Sequence, residues 1–136
     1  MLTPQEKEFC AATVWGAAKL SGCDRKHGAL VIRDHGRGDS TSRGGELFFG
    51  FNRRLTLNLE VSAILGVLAD CGITEAQGAL LFTTKFPSFV DMAQIITYGI
   101  SVVYFFGEID DPEAVRLANE WNASHNSLEI VKLEVK

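Results

Sequence analysis

Paired cysteines are missing from this sequence. Cys10, Cys23 and Cys71 are odd in number, widely spaced and without a C-x-x-C pair, which disfavours both a disulfide framework and an ordinary zinc knuckle. All three are read as buried thiols, Cys10 and Cys71 within apolar helical patterns. No apolar run approaches the roughly 20 residues of a membrane span, and the basic-then-apolar layout of a signal peptide is absent, so the expectation is a cytoplasmic protein without a membrane partner. There is no internal repeat, linker or low-complexity segment. The 136 residues are therefore expected to form one domain, 1–136, long enough to bury a core without staples. Excess positive charge is lacking too, and a net charge of -4 argues against a dedicated nucleic-acid binder.

What is present is a globular composition, 46% hydrophobic and 22% charged, with charge unevenly spread. Arg25, Lys26, Arg33, Arg37, Arg43, Arg53 and Arg54 crowd one stretch against Asp34, Asp39 and Glu46, and the sign reverses from Glu108 onward. A basic face is the condition for binding phosphate; the competing reading is a solvated loop surface.

Thr3-Pro4-Gln5-Glu6 is a capping box with proline at the first helical position, and Phe9, Ala12, Val14, Ala17 and Leu20 predict an amphipathic helix ending at Gly22. Ala29–Ile32 reads as a buried strand, Asp34–Gly45 as a polar connection and Glu46–Phe51 as its hairpin partner. A second helix is expected from near Asn58 through Val61, Ile64, Leu65 and Leu68 to Gly72. Gly78–Thr84 is apolar throughout, as a strand covered on both faces would be. A helix over Ser88–Tyr98 closes at Gly99, followed by a strand over Ser101–Phe106, a helix over Asp111–Asn122 and an edge strand over Leu128–Val135. Helices recurring between apolar strands predict a three-layer α/β/α sandwich.

Residue by residue, the sequence resembles the cytidine deaminase-like family, in particular its deoxycytidylate deaminase branch. Ser21–Ala29 is similar to the family's polar loop feeding a Gly-Ala strand start, and Gly50-Phe51-Asn52 to its G-Y-N. Asn58-Leu59-Glu60-Val61-Ser62-Ala63-Ile64 lies over its His-Ala-Glu-x-x-Ala-Ile. Gly78–Thr84 with Phe86-Pro87 matches the strand that delivers a Pro-Cys-x-x-Cys helix, and Ala93–Tyr104 its A-x-x-I-I-x-x-G-I-x-x-V-V-Y. The likeness covers nearly the whole chain. It implies a sandwich built on a central mixed five-stranded sheet.

The resemblance also implies a zinc ion held by a His and two Cys, with a Glu shuttling protons. Here the Glu is present as Glu60, whereas the three ligand positions carry Asn58, Ser88 and Asp91. Asn and Ser are neutral, poor zinc donors, leaving Asp91 as the only good one. Zinc lowers the pKa of the attacking water from about 15.7 towards 7, on the order of 12 kcal/mol at about 1.36 kcal/mol per unit. A general base alone supplies about 10²–10⁴-fold. Asn58 and Ser88 instead suit helix N-caps, and Ser88-Phe89-Val90-Asp91 has capping-box spacing; the rival reading is that these helix ends bind an anion or polar ligand edge.

At the other end of the site, the resemblance places Asn52 against the sugar or phosphate of a pyrimidine nucleotide, and Arg25 is a candidate phosphate partner because guanidinium meets phosphate bidentately. His27, His35 and His125 lie off the matched ligand positions and are read as non-ligands. The expectation is therefore a deaminase-like protein with no zinc or other cofactor, without deaminase activity, acting by nucleotide binding or through a partner. One alternative is a pure interaction module that pairs with a catalytic deaminase or another protein. The other is an active hydrolytic deaminase with unusual metal use. Self-association as a dimer or larger ring is implied by the resemblance, with Phe89, Met92, Ile96 and Tyr98 apolar enough to serve it.

Overall fold

The computed structural model describes residues 2–33, 46–56, 59–125 and 127–134; the connection at 34–45 and Asn58 lie outside them. The chain runs α1 (Pro4–Ala18), β1 (Gly28–Arg33), β2 (Glu46–Phe51), β3 (Arg53–Thr56), β4 (Leu59–Val61), α2 (Ala63–Cys71), α3 (Ile73–Ala76), β5 (Leu80–Thr83), α4 (Phe89–Tyr98), β6 (Val102–Phe105), α5 (Pro112–His125) and β7 (Glu129–Lys132). Five strands form one mixed sheet in the order β2-β1-β5-β6-β7. β1 is antiparallel to both β2 and β5, while β5, β6 and β7 are parallel.

Alternation along the strands separates two cores. Ala29, Val31, Leu81, Val103 and Phe105 pack with buried residues of α2, α4 and α5. Leu30, Phe82 and Tyr104 point the other way, onto Cys10 and Val14 of α1. Helices thus cover both faces, as expected. Each fully buried side chain of this size contributes about 1.5–3 kcal/mol. The close approach of α1 needs Gly28, where a Cβ would stand 2.3 Å from the Val14 carbonyl oxygen.

The predicted capping box of α1 forms: Glu6 N donates to Thr3 Oγ1 (3.1 Å) and Thr3 N to Glu6 Oε1 (2.8 Å). Its buried stripe, however, is Cys10, Val14, Ala17 and Ala18, while Phe9 and Leu20 are exposed. Phe9 sits one residue, about 100° of helix, away from the Cys10–Val14–Ala17 row. The helix also stops at Ala18, short of Gly22.

The largest departure lies between β2 and α2. A helix from near Asn58 is not what forms: Leu59–Val61 is a strand paired antiparallel with β3 through Arg53↔Val61 and Arg54↔Glu60. Helix α2 begins at Ala63, with Ser62 as N-cap accepting from Leu65 N at 3.0 Å. The physical reason is the position of the apolar stripe. Ala63, Ile64, Val67, Leu68 and Cys71 are all buried, whereas Leu59 and Glu60 are exposed, so helical packing is rewarded only from Ala63 on. The ribbon and the short α3 are the elements missing from the expected order. Gly99 closes α4 with φ 79°, as expected of a left-handed C-cap.

Candidate functional site

A cavity of about 450 Å³ opens beyond the carboxyl end of β5, where the loop before β1, the β3–β4 ribbon and the first turns of α2 and α4 meet. It gathers Arg25, Asn52, Glu60 and Asp91 from the sequence expectation, and adds His27, Ser62, Thr83 and Lys85. Ser88 stands behind Asp91. The cavity lies where open α/β sheets receive ligands, outside the carboxyl ends of parallel strands.

Asn52 is 2% exposed, and its amide is in use. Its Nδ2 donates to the Arg25 carbonyl (2.6 Å) and, more weakly, to Glu60 Oε1 (3.4 Å), while its Oδ1 accepts from His27 N (2.9 Å). Asn52 N donates to the His27 carbonyl at 3.2 Å, and Asn52 O accepts from Ser21 Oγ at 2.8 Å. One residue therefore fixes the loop that carries Arg25 and His27. Glu60 sits on β4, not on a helix, half-exposed, with Arg54 Nη2 at 3.4 Å.

The two helix N-termini are tied together by Asp91. Ser62 Oγ donates to Asp91 Oδ1 (2.7 Å), and Ser88 N donates to Asp91 Oδ2 (3.2 Å). Asp91 N in turn donates to Ser88 Oγ (3.2 Å). The Ser88–Asp91 capping box read from the sequence is thus present, and its acid also holds the cap of α2. The carboxylate is 5% exposed, and burial without such donors would be costly.

The cationic wall differs. Neither the Arg25 guanidinium nor the Lys85 ammonium has an ion-pair or hydrogen-bond partner among the described residues, although Lys85 is half-buried. His27 titrates below its ordinary value because burial disfavours the imidazolium; Lys85 and Arg25 add to this, against the opposite pull of Glu60 and Asp110. His125 stacks on Trp121 at the end of α5, ring centroids 3.5 Å apart, outside the cavity lining. His35 lies outside the described residues.

A catalytic zinc needs three protein donors and an open position. Ser88 and Asp91 are engaged with each other and with Ser62, and among the described residues no group of three or more His, Cys, Asp or Glu is gathered to hold a metal. The described donors do not fit that group. Cys10, Cys23 and Cys71 are buried thiols outside any disulfide, and burial pushes the Cys10 thiol up to about 11. Of the residues expected on an outer contact face, Met92 is fully buried, Ile96 and Tyr98 pack against the core and Phe89 is exposed.

Sequence reasoning missed Ser62, Lys85 and His27 as cavity residues. Ser62 had a signal, a good N-cap immediately before the apolar run. Lys85 had one as well, a single charge directly after an unbroken apolar strand.

No family model matches the sequence, and no curated protein sequence matches it. Solved structures do. The apo dCMP deaminase of cyanophage S-TIM5 superposes with a TM-score of 0.73 at 20% identity, over 97% of this chain and 100% of that one. The same enzyme in complex with dCMP and dUMP gives a TM-score of 0.75 at 20% identity, over 98% and 100%. RibD from Acinetobacter baumannii gives 0.68 at 14% identity over 94% of this chain, which spans 35% of that longer protein. Among the described residues no helix is long and apolar enough to cross a membrane. With the mixed five-stranded sheet, the helices on its two faces and these superpositions, the chain has the cytidine deaminase-like fold.

Proposed function

We propose that this chain binds a pyrimidine nucleoside monophosphate in the cavity beyond β5 without deaminating it. The observation that carries the reading is the use made of Asp91. At a position where the resemblance expects a metal ligand, its carboxylate accepts from Ser62 Oγ and Ser88 N and acts as a tie between two helices. Among the described residues water activation by zinc has no donor set to rest on, and Glu60, the remaining proton shuttle, is turned towards Arg54 and Asn52. Arg25 serves the phosphate, and Asn52 serves binding by holding Arg25 in place. The dCMP and dUMP complex of the cyanophage enzyme, on the same fold, supports a pyrimidine nucleotide as the ligand class. Calorimetric titration is expected to show dCMP binding well above dAMP; absence of dCMP binding at millimolar concentration overturns the reading.

A second reading, a module that acts by association, is favoured by exposed Phe89 and Val90 on the first turn of α4. It predicts a dimer by sedimentation at tens of micromolar, weakened by Phe89→Ser; a monomer contradicts it.

A further inference from the structure

Alternation along the parallel strands puts Leu80, Val102, Tyr104, Val131 and Leu133 on the α1 side of the sheet. The register sets Val102 beside Glu129 and Tyr104 beside Val131. Leu133 N donates to the Phe105 carbonyl at 2.7 Å, which carries the row on to Phe106 and Leu133. The two sides of these strands are covered unequally. On one side Val103, Phe105 and Ile130 pack with Ala114 and Ala118 of α5. On the other, α1 is the one helix among the described residues, and it lies over β1, β2 and β5. Val102, Val131 and Leu133 stay half-buried.

The uncovered strip has the dimensions of one more helix. Strands lie about 4.8 Å apart, so β7 stands about 10 Å from β5, the spacing at which a second helix packs beside a first. From Val102 to Phe106 the floor runs about 13 Å at about 3.3 Å per residue, roughly two and a half helical turns. Two cavities, of about 440 and 690 Å³, occupy it end to end, with Lys7 in the lining of both. Trp15, 38% exposed, walls the larger one and stands edge-on to Phe106, ring centroids 5.5 Å apart. Tryptophans so placed are the anchors that dominate binding. The rim is acidic, with Glu129 at one end and Glu8 and Glu134 at the other, against the single base Lys7 over the Tyr104 ring. None of these residues lines the cavity beyond β5.

We propose that this strip is a docking groove for one amphipathic helix of a partner protein, which lays its apolar stripe on Val102, Val131 and Leu133 and carries lysine or arginine on its flanks toward Glu129 and Glu134. A sheet face buries the apolar stripe of a helix, as the opposite face of the same strands does with α5. Positive flanks follow from the rim, where an acidic helix would be repelled. A second copy of this chain does not meet these terms. Its own helices α1, α2, α4 and α5 already bury their apolar stripes against the sheet, and two copies placed face to face would bring the same acids together. The groove is independent of the nucleotide reading and stands or falls apart from it.

The test is NMR titration of the full chain with a synthetic helix of about 15 residues, leucine on one face and lysine on the other. Its controls are the same helix with glutamate for lysine and a scrambled peptide of the same composition. The expected result is that the lysine helix binds at least about tenfold more tightly than either control, shifting the Trp15 indole and the amides of β6 and β7. Leu133→Asp should weaken it at least about tenfold. The double variant Glu129→Lys and Glu134→Lys, at exposed positions that do not endanger the fold, should turn the preference toward the glutamate helix. No binding up to about 1 mM, equal binding of the three peptides, or a preference unmoved by the charge reversal overturns the proposal. Shifts that fall on the lining of the cavity beyond β5 instead of β6 and β7 overturn it as well. A dimer in sedimentation that Leu133→Asp disperses assigns the face to a second copy and overturns the partner helix.

Discussion

Where α2 and α4 converge, Ser62, Ser88 and Asp91 are bonded to one another and to helix N–H groups, while in the same cavity the charged groups of exposed Arg25 and half-buried Lys85 have no ion-pair or hydrogen-bond partner among the described residues. Buried polar groups that are satisfied inside the chain do structural work, because removing one strands the others. Charges held in place without a partner are poised for something outside the chain. The converging helix ends are satisfied within the chain, whereas the cationic wall is where the proposed ligand would be held.

The largest effect expected from breaking this contrast is at Asp91. Asp91→Ala leaves Ser62 Oγ and Ser88 N without their shared acceptor, and hydrogen bonds to a charged group are worth about 1.5–3 kcal/mol each. A loss of about 3 kcal/mol in urea unfolding is expected, against a change within about 0.5 kcal/mol for Arg25→Ala at the exposed wall. Equal losses at the two positions would erase the distinction between the two ends.

A smaller effect separates the caps. Ser62→Ala and Ser88→Ala should each cost about 0.5–2 kcal/mol, and Ser62→Ala should cost less in an Asp91→Ala background because the pair interacts directly at 2.7 Å. Strict additivity in that double-mutant cycle would show that the tie between α2 and α4 carries no energy.

The smallest effect is a pH dependence. His27 in the folded protein titrates below its ordinary 6.5, so the unfolded chain binds more protons between the folded midpoint and about 6.5. Stability contributed by neutral His27 is then complete above that window and is lost as pH falls through it. NMR titration should place the His27 midpoint below 6.5, and Lys85→Met should move it upward because a neighbouring like charge is removed. An unchanged midpoint in Lys85→Met would place the lysine out of reach of the ring.

Much of this was legible in the sequence where local and tertiary preferences agree. The Thr3 and Ser88 capping boxes, the Gly99 stop, the strand over Glu46–Phe51 and the apolar β5 are cases in which spacing alone decides. The start of α2 was not legible, because Asn58 and Ser62 are both good N-caps and the choice falls to a tertiary fact, the depth at which Ala63 and Ile64 meet the sheet. The stripe of α1 was legible in part: Val14, Ala17 and the thiol of Cys10 are buried as expected, whereas Phe9 and Leu20 are exposed and small Ala18 is buried instead, because bulk in the sequence pointed away from the close contact. In the site, Asp91 could be read as a cap for α4, but its bond to Ser62 joins residues 29 apart in sequence and depends on how two helices converge. The juxtaposition of His27 with Lys85 depends on an antiparallel register that no periodicity encodes.

The central claim, a cavity that holds a pyrimidine nucleotide without hydrolysing it, is tested most directly by incubating the protein with dCMP and one equivalent of added zinc and measuring dUMP. The account predicts that dCMP is recovered unchanged at the rate seen without protein. Formation of dUMP that is abolished by Glu60→Gln would contradict it.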